Sequence, residues 1–385
     1  MVTKPTHVAP WMDEDLRAFR ELARDFSEKE LTPNVERWIE QKQVDRKLWN
    51  KAGEVGLLCM SIPEEYGGGG GTFAHEAVLL EEQAYSGDEG WGVSVHAGIV
   101  AHYLNAYGTE EQKKKWLPGM ASGELVAAIA MTEPGTGSDL QGIQTRAVRD
   151  GDHWVINGQK TFITNGILAD LVIVVCRTDP DAGAHGFSLL VVERGMPGFE
   201  RGRNLDKIGM SAQDTAELSF TDVRVPATNL LGGEGQGFIH LMQNLPRERL
   251  SIAVGSTTGA EKVLEDTIAY VKERTAFGKP IAALQATRFT IAELATKLAV
   301  TREFVDRCIV ELNADRLEAA EASMAKYWAS ETAKEVIDRC LQLHGGYGYM
   351  KEYPVARAFL DNRVQTIYGG TTEIMKEIIG RAVLS

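Results

Sequence analysis

The sequence has few cysteines, and their spacing matches no known framework. Cys59, Cys176, Cys308 and Cys340 are scattered through 385 residues without a Cys-x-x-Cys pair. Disulfide scaffolds and zinc sites rely on paired spacing, so neither is expected to organise this chain, and a reducing compartment is favoured. A chain of this length can bury a large core without such cross-links.

Long apolar runs are also absent. The longest runs, Leu171–Cys176 and Phe187–Val192, are far shorter than the roughly 20 residues of a membrane helix. The N-terminus has no apolar signal segment, so we expect a soluble, cytoplasmic protein without stable membrane insertion. The net charge is −13, which repels phosphate backbones and makes nucleic acid an unexpected partner.

Several motifs of common enzymes are missing. The sequence contains no GxGxxG, GxxxxGK[ST], HExxH or GxSxG pattern, which removes the usual support for Rossmann, P-loop, zinc-protease and α/β-hydrolase chemistry. The eight histidines form no i, i+4 pair. We therefore interpret His75, His96 and His344 as structural residues, and we expect no metal.

Helical periodicity predicts an N-terminal helical domain over residues 1–120. Its clearest apolar stripe consists of Leu16, Phe19, Ala23 and Phe26. A later helix should begin at Thr109, because Thr109 and Gln112 have the spacing of a capping box. The run of five glycines at 67–71 is interpreted as a flexible connector.

A β-domain is predicted over residues 121–232, where short apolar segments alternate with turn residues. Within it, Asn157-Gly158 is typical of a type I′ hairpin turn. Helical periodicity returns over 233–385, with a break expected at Pro246. The order helices, β-domain, helices excludes a doubly wound α/β sheet.

Two segments of the β-domain are candidates for binding. The segment MTEPGTGSD at 131–139 combines small residues and short hydroxyls, which can present backbone N–H groups to a flat or anionic ligand. A Pro-Gly turn followed by an Asp cap is the structural alternative. In KTFITN at 160–165, Phe162 and Thr164 should share one side of a strand, which is equally typical of core packing.

Together with later motifs, these segments resemble the acyl-CoA dehydrogenase family. The later motifs are RTAFGKPIAALQ at 274–285, QLHGGYGY at 342–349 and IYGGTTEIMKEIIGR at 367–381, and the resemblance covers residues 12–381. It implies a mostly α, α+β fold: an N-terminal helical domain, a central β-barrel or sandwich and a C-terminal four-helix bundle. It also implies non-covalent FAD and a homotetramer.

The resemblance assigns the cofactor residues by position. Those expected to line the flavin and pyrophosphate are Met131, Thr132, Gly137 and Ser138, with Phe162 and Thr164 covering the flavin; Phe162 replaces the tryptophan common in the family. Those expected to reach the FAD of a neighbouring subunit are Arg274, Phe277, Gln285, Gln342, Gly345 and Gly346. Arg274 on its own would suggest a surface salt bridge. Thr371 and Glu373 are expected near the cofactor of their own chain.

The catalytic base departs from the commonest family pattern. Many members carry a glutamate in Tyr-Glu-Gly-Thr, whereas this chain has Tyr368-Gly369-Gly370-Thr371, and a glycine cannot accept a proton. The long-chain and isovaleryl branches carry the base in Leu-x-x-Glu-Arg-Leu, which corresponds to residues 245–250 here. The resemblance therefore implies Glu248 as base, with the Gly369 N–H polarising the thioester. From spacing alone, Glu248 could instead be a helix-end residue paired with Arg249 on the surface.

The implied activity is α,β-dehydrogenation of a medium-to-long-chain acyl-CoA to a trans-2-enoyl-CoA, as in fatty acid β-oxidation. Electrons would pass to an electron-transferring flavoprotein. The residues expected to bind substrate are Ser138, Arg249, Tyr368, Gly369 and Gly370. Alternatives are an isovaleryl or other branched-chain acyl-CoA dehydrogenase, an oxygen-using flavin oxidase or monooxygenase, and an acyl-CoA-binding protein without catalysis.

Overall fold

The structure is a computed structural model that describes residues 9–87 and 90–385. It begins with a group of helices that packs against the rest of the chain. These helices are α1 (Glu14–Phe26), α2 (Val35–Gln41), α3 (Arg46–Glu54), α4 (Phe73–Ser86), α5 (Ala101–Tyr107) and α6 (Glu110–Ala121). A π-helical turn at Ser94–Val100 leads directly into α5.

The predicted signals for α1 and α6 are confirmed. All four residues of the apolar stripe in α1 are buried, and the Asp13 side chain caps the helix by accepting a hydrogen bond from the Leu16 N–H. Thr109 and Gln112 form the predicted capping box, in which each side chain bonds the backbone N–H of the other. Such caps satisfy N–H groups that a helix leaves unpaired at its start.

The interpretation of 67–71 as a flexible connector is wrong. Each of the five glycine N–H groups donates to a carbonyl of the preceding segment 59–64. A Cβ on Gly68 would lie 2.1 Å from the Ile62 carbonyl oxygen, closer than any side chain could fit. The glycines are therefore needed for close backbone packing, and the loop has a defined conformation.

The middle of the chain forms an eight-stranded sheet among the described residues. Its strands are β1 (Ala127–Ala130), β2 (Arg146–Asp150), β3 (His153–Thr164), β4 (Leu171–Arg177), β5 (Phe187–Glu193), β6 (Phe199–Asn204), β7 (Thr215–Pro226) and β8 (Leu230–Leu231). Their order is β6-β7-β3-β2-β4-β5-β8, and β1 pairs with β4. The β1–β4 and β2–β4 pairs are parallel, and the other pairs are antiparallel.

The apolar runs in β4 and β5 are explained by two cores, one on each side of the sheet. In β4, Ile173 and Val175 belong to the large core shared with the helices, whereas Val172 and Val174 belong to a separate core of the β-domain. Successive strand residues point to opposite faces, so burial on both faces requires an uninterrupted apolar run.

The predicted hairpin turn at Asn157-Gly158 is wrong. Both residues lie inside β3, where Asn157 pairs with Arg146 and Gly158 with Phe220. The Asn157 side chain forms reciprocal hydrogen bonds with Asp222 at 3.0 Å. The β2–β3 turn instead lies at 151–152, where Gly151 has a φ of +60°. A Gly-Asp pair thus makes the turn, and Asn-Gly lies at a bulge in the strand.

The C-terminal part contains long helices and a short hairpin. Its elements are α7 (Gly237–Glu273), β9 (Thr275–Ala276), β10 (Lys279–Pro280), α8 (Gln285–Asn313), α9 (Ala319–His344), α10 (Pro354–Asp361) and α11 (Thr372–Leu384). Helices α7, α8 and α11 all pack against α9, and α4 of the N-terminal group packs against α7 and α8. Within the described ranges, every helix is too short or too polar to cross a membrane.

The predicted helix break at Pro246 is also wrong. Helix α7 continues through this proline from Gly237 to Glu273. Proline lacks the N–H that would bond the Met242 carbonyl, so the helix gives up one internal hydrogen bond at this point. Packing along α9 stabilises the remaining turns, and Glu248 consequently lies inside a helix instead of at a bend.

Candidate active site

Glu248 is a buried carboxylate on α7. It is 6% exposed, and the Tyr103 hydroxyl donates a hydrogen bond to its Oε1 at 3.0 Å. Burial raises the pKa of Glu248 to about 7, with the Tyr103 bond and the Arg249 charge opposing part of that rise. Arg249 is buried too, so the two do not form a surface pair. A carboxylate in this setting can exchange a proton near neutral pH.

The Gly369–Gly370 turn approaches the same face of α7. A Cβ on Gly369 would lie 2.3 Å from Ile252 Cδ1, and Ile252 follows Glu248 by four residues, which puts both on one helix face. Both glycines have left-handed backbones, with φ of +63° and +99°. Among the described residues, the Gly369 N–H has no hydrogen-bond acceptor. A backbone donor is therefore available on the side of α7 that carries Glu248.

Two buried cations hold this turn by its carbonyl oxygens. Lys326 Nζ donates to the Gly370 carbonyl at 2.7 Å, and Arg249 Nε lies 3.4 Å from the Gly369 carbonyl. Burial, followed by the charge of Arg249, lowers the pKa of Lys326 to about 8. Neither Lys326 in α9 nor Tyr103 in α5 belongs to a recognisable sequence motif, so the sequence did not predict either residue.

The neighbouring predicted residues have local partners. The Tyr368 hydroxyl donates to Gln365 Oε1 at 2.7 Å. Thr371 caps α11, because its Oγ1 accepts a hydrogen bond from the Ile374 N–H at 3.3 Å. The pKa of Glu373 is lowered by hydrogen bonds from the Glu373 backbone N–H and from the Thr371 hydroxyl. Thr371 and Glu373 thus form the N-terminus of α11 next to the glycine turn.

The segment 131–139 is fixed to the sheet by a buried ion pair. Lys160 is almost wholly buried, and its Nζ donates to the Met131 carbonyl at 3.0 Å and to Glu133 Oε1 at 2.9 Å. Glu133 also accepts hydrogen bonds from the N–H groups of Gln144 and Thr145. The Thr132 carbonyl accepts a further bond from β3. The Lys160–Glu133 ion pair thus fixes the backbone of a segment whose remaining residues are mostly exposed.

Around that segment, predicted ligand groups face outward. In the described chain, the N–H groups of Gly137 and Ser138 have no acceptor. Phe162 lies at a bulge in β3 with a φ of +60° and is 68% exposed, and Thr164 is partly exposed while Ile163 between them is buried. Phe162 and Thr164 are therefore both accessible, although the bulge at Phe162 interrupts the strict alternation on which the prediction rested.

A third group of predicted residues lies on the C-terminal helices. Arg274, Gln342, Gly345 and Gly346 line one surface cavity of about 490 Å³. Phe277 projects from the β9–β10 hairpin with 92% of its surface exposed, and Gln285 starts α8. Among the described residues, nothing from 131–138 or from β3 lines that cavity. The single chain therefore brings this group together but not against the β-domain group.

Comparison with known protein families identifies the family of this chain. Sequence models of the N-terminal, middle and C-terminal domains of acyl-CoA dehydrogenase match residues 13–124, 128–223 and 235–384. The chain belongs to the acyl-CoA dehydrogenase family. The resemblance found in the motifs is thereby confirmed, as is the fold of helical, β-sheet and helical domains.

Similar proteins cover nearly the whole chain. The mitochondrial long-chain specific acyl-CoA dehydrogenase of Sus scrofa is 54% identical over 368 residues, which are 95% of this chain and 86% of that protein. The crystal structure of an acyl-CoA dehydrogenase from Geobacillus kaustophilus has a TM-score of 0.96 at 51% identity, covering 98% of this chain and 100% of that one. A glutaryl-CoA dehydrogenase from Mycobacterium smegmatis, solved in complex with FADH2, has a TM-score of 0.90 at 31% identity, with coverage of 97% and 95%. The chain is accordingly an FAD-dependent enzyme of this family.

The residues of this chain fit an FAD. Unpaired N–H groups at Gly137 and Ser138 suit phosphate oxygens, and the exposed rings of Phe162 and Phe277 suit flat aromatic groups. Arg274 borders a cavity large enough for part of a nucleotide. The Arg274 group and the β-domain group share no cavity among the described residues.

Proposed function

We propose that this protein dehydrogenates medium-to-long-chain acyl-CoA thioesters between Cα and Cβ, with Glu248 as the base. The observation that supports this most directly is the buried Glu248 carboxylate with its raised pKa, on the α7 face that the Gly369 turn approaches. The long-chain specific relative at 54% identity supports the preference for longer chains. We propose a role in β-oxidation on the same grounds.

In this proposal Glu248 Oε2 removes the α-proton of the thioester. Tyr103 holds Oε1 through its hydroxyl, which leaves the second oxygen for the substrate. The Gly369 N–H donates to the thioester oxygen as negative charge develops there, and Lys326 and Arg249 keep the turn in position. Exclusion of water around Glu248 strengthens each of these interactions.

FAD, when bound, supplies the acceptor for the hydride that leaves Cβ. We propose that Met131, Thr132, Gly137, Ser138, Phe162 and Thr164 hold it on one chain. The residues that would contact it from a second chain are Arg274, Phe277, Gln285, Gln342, Gly345 and Gly346. This arrangement underlies our proposal of a homotetramer. We also propose a cytoplasmic location and an electron-transferring flavoprotein as the oxidant.

The test is anaerobic mixing of the purified, yellow holoprotein with octanoyl-, palmitoyl- and isovaleryl-CoA, one at a time. We expect palmitoyl-CoA or octanoyl-CoA to bleach the flavin fastest. Fastest bleaching by isovaleryl-CoA would contradict the chain-length proposal and favour the branched-chain alternative. Rapid reoxidation of the bleached flavin by air would favour an oxidase and contradict the flavoprotein acceptor.

A further inference from the structure

A small cavity lies one helical turn along α7 from Glu248. It is walled by α4, the π-helical turn, α7 and the segment 57–60, with Leu79, Val93, Ala97 and Ser251 among its lining residues. Its volume of about 20 Å³ is room for roughly one water molecule or one small chemical group. Most of the wall is apolar, and its polar residues are Glu76, Ser94 and Ser251.

All hydrogen bonds of Glu76 fall on one of its two oxygens. Oε1 accepts from Arg247 Nη2 at 2.6 Å, from the Ser61 hydroxyl, and lies 2.8 Å from His102 Nε2. Oε2 is buried and has no partner among the described residues. Glu76 as a whole is 7% exposed. A buried acceptor without a partner is costly, so Oε2 indicates a missing donor.

Oε2 lies near a glycine of the π-helical turn. A Cβ on Gly98 would lie 3.5 Å from Oε2, which is an ordinary van der Waals distance, so Gly98 borders the oxygen without bonding it. Glu76 remains an acceptor, because Arg247 and His102 outweigh its burial and hold its pKa to about 2.

Arg247 bonds the other oxygen of Glu76 and is not among the residues that line the cavity. Its Nε–H is also buried without a partner among the described residues, and Nε lies on the same guanidinium edge as the Nη2 that bonds Glu76. Of the two, Glu76 lines the cavity, and its Oε2 is an acceptor that lacks a donor. A hydroxyl group matches this oxygen because it can donate a hydrogen bond, whereas the methyl end of a plain alkyl chain cannot.

We infer that Glu76, held in place by Arg247, forms a hydroxyl-binding subsite in this cavity, one helical turn along α7 from the proposed base. The enzyme then prefers an acyl-CoA with a hydroxyl group on the distal part of its chain over the unsubstituted acyl-CoA of equal length. This inference rests on the proposed function. The same hydrogen bonds could be made by a trapped water, and the two sources of the hydroxyl are distinguished by substrate preference.

The experiment compares kcat/KM for ω-hydroxyoctanoyl-, ω-hydroxydodecanoyl- and ω-hydroxypalmitoyl-CoA with kcat/KM for the three parent thioesters. At the length that reaches Glu76, we expect the hydroxylated chain to be favoured by about tenfold or more, since a site with buried polar groups rejects a chain that leaves them unpaired. The double variant Glu76→Leu/Arg247→Leu removes both charges together and should reverse the preference at that length.

Two further variants complete the test. Glu76→Gln keeps the size of the side chain but removes the charge, so the preference should fall; because Arg247 loses its counter-charge, the variant is compared only as folded, FAD-loaded protein. Glu82→Gln changes another buried carboxylate of α4, one that pairs with Arg24, and should leave the preference unchanged.

Three outcomes would overturn the inference. If parent thioesters bleach the flavin but no hydroxylated chain is preferred, the subsite holds water only, and the proposed function stands. If the preference survives in the double variant, it does not come from Glu76 and Arg247. If no thioester of either kind bleaches the flavin, the proposed function fails together with the inference.

Discussion

Replacement of Glu248 by glutamine should make the protein more stable and less active, and the gain in stability should grow with pH. The pKa of Glu248 rises from 4.5 to about 7 on folding, so the folded state holds this proton more tightly than the unfolded state. Below about pH 4.5 both states are protonated and the carboxyl carries no penalty. As pH rises to 7 and above, ionising the buried group costs roughly 3 kcal/mol, from a difference of about 2.5 in pKa at 1.36 kcal/mol each.

Glutamine is neutral at every pH and can still accept the Tyr103 hydrogen bond, so it avoids this cost. Urea unfolding at about pH 5 and about pH 8, with FAD in excess, should show the advantage of Glu248→Gln increasing by roughly 2.5 kcal/mol, because a small part of the cost is already present at pH 5. An advantage that does not change with pH would refute the reasoning, because it would mean that the carboxylate is already ionised at low pH in the folded state.

The same shift predicts the pH dependence of activity. The base must be ionised, so kcat/KM of the wild type should rise through about pH 7 and level off above it. Tyr103→Phe removes the hydrogen bond that lowers this pKa, so its profile should be displaced to higher pH at unchanged FAD content. A profile that Tyr103→Phe leaves in place would contradict the role given to that hydroxyl.

Two other predictions concern the glycine turn. The double variant Glu248→Gly/Gly369→Glu moves the base and should restore part of the activity that Glu248→Gly alone loses. Adding Ile252→Ala should restore more, because Ile252 Cδ1 occupies the space of a side chain at 369. Equal rates of the double and triple variants would contradict this prediction. Lys326→Met removes the donor to the Gly370 carbonyl and should lower kcat by about tenfold or more while FAD stays bound, as followed by turnover and absorbance. Unchanged turnover in that variant would show that the turn keeps its position without Lys326.

The fold could be predicted where short-range signals agree with long-range packing. The apolar stripe of α1 and the capping box of α6 are local patterns, and the structure uses both as expected. The prediction of a turn at Asn157-Gly158 was wrong because the conformation of these residues depends on pairing with β7, where Asp222 bonds the Asn157 side chain. The predicted helix break at Pro246 was wrong for a similar reason, since packing of α7 against α9 outweighs one missing hydrogen bond.

The candidate site could be predicted only where it lies in motifs. Glu248 and Gly369 were predicted because both lie in segments that match motifs of the family. Glycine at 369, where many members have glutamate, indicated that the base comes from residues 245–250 instead. Tyr103 and Lys326 could not be found, because each is a single residue on a helix whose partner lies far away in the sequence. Their contribution comes from burial and from hydrogen-bond geometry, which periodicity does not encode.

The most direct test of the account is the rate at which palmitoyl-CoA bleaches the flavin in wild-type protein and in Glu248→Gln, mixed rapidly without oxygen at about pH 8. General base catalysis contributes about a hundredfold or more to a rate. The account predicts that the variant remains yellow, binds the thioester and bleaches at least about a hundredfold more slowly. Bleaching of the variant at the wild-type rate would contradict the assignment of Glu248 as the base.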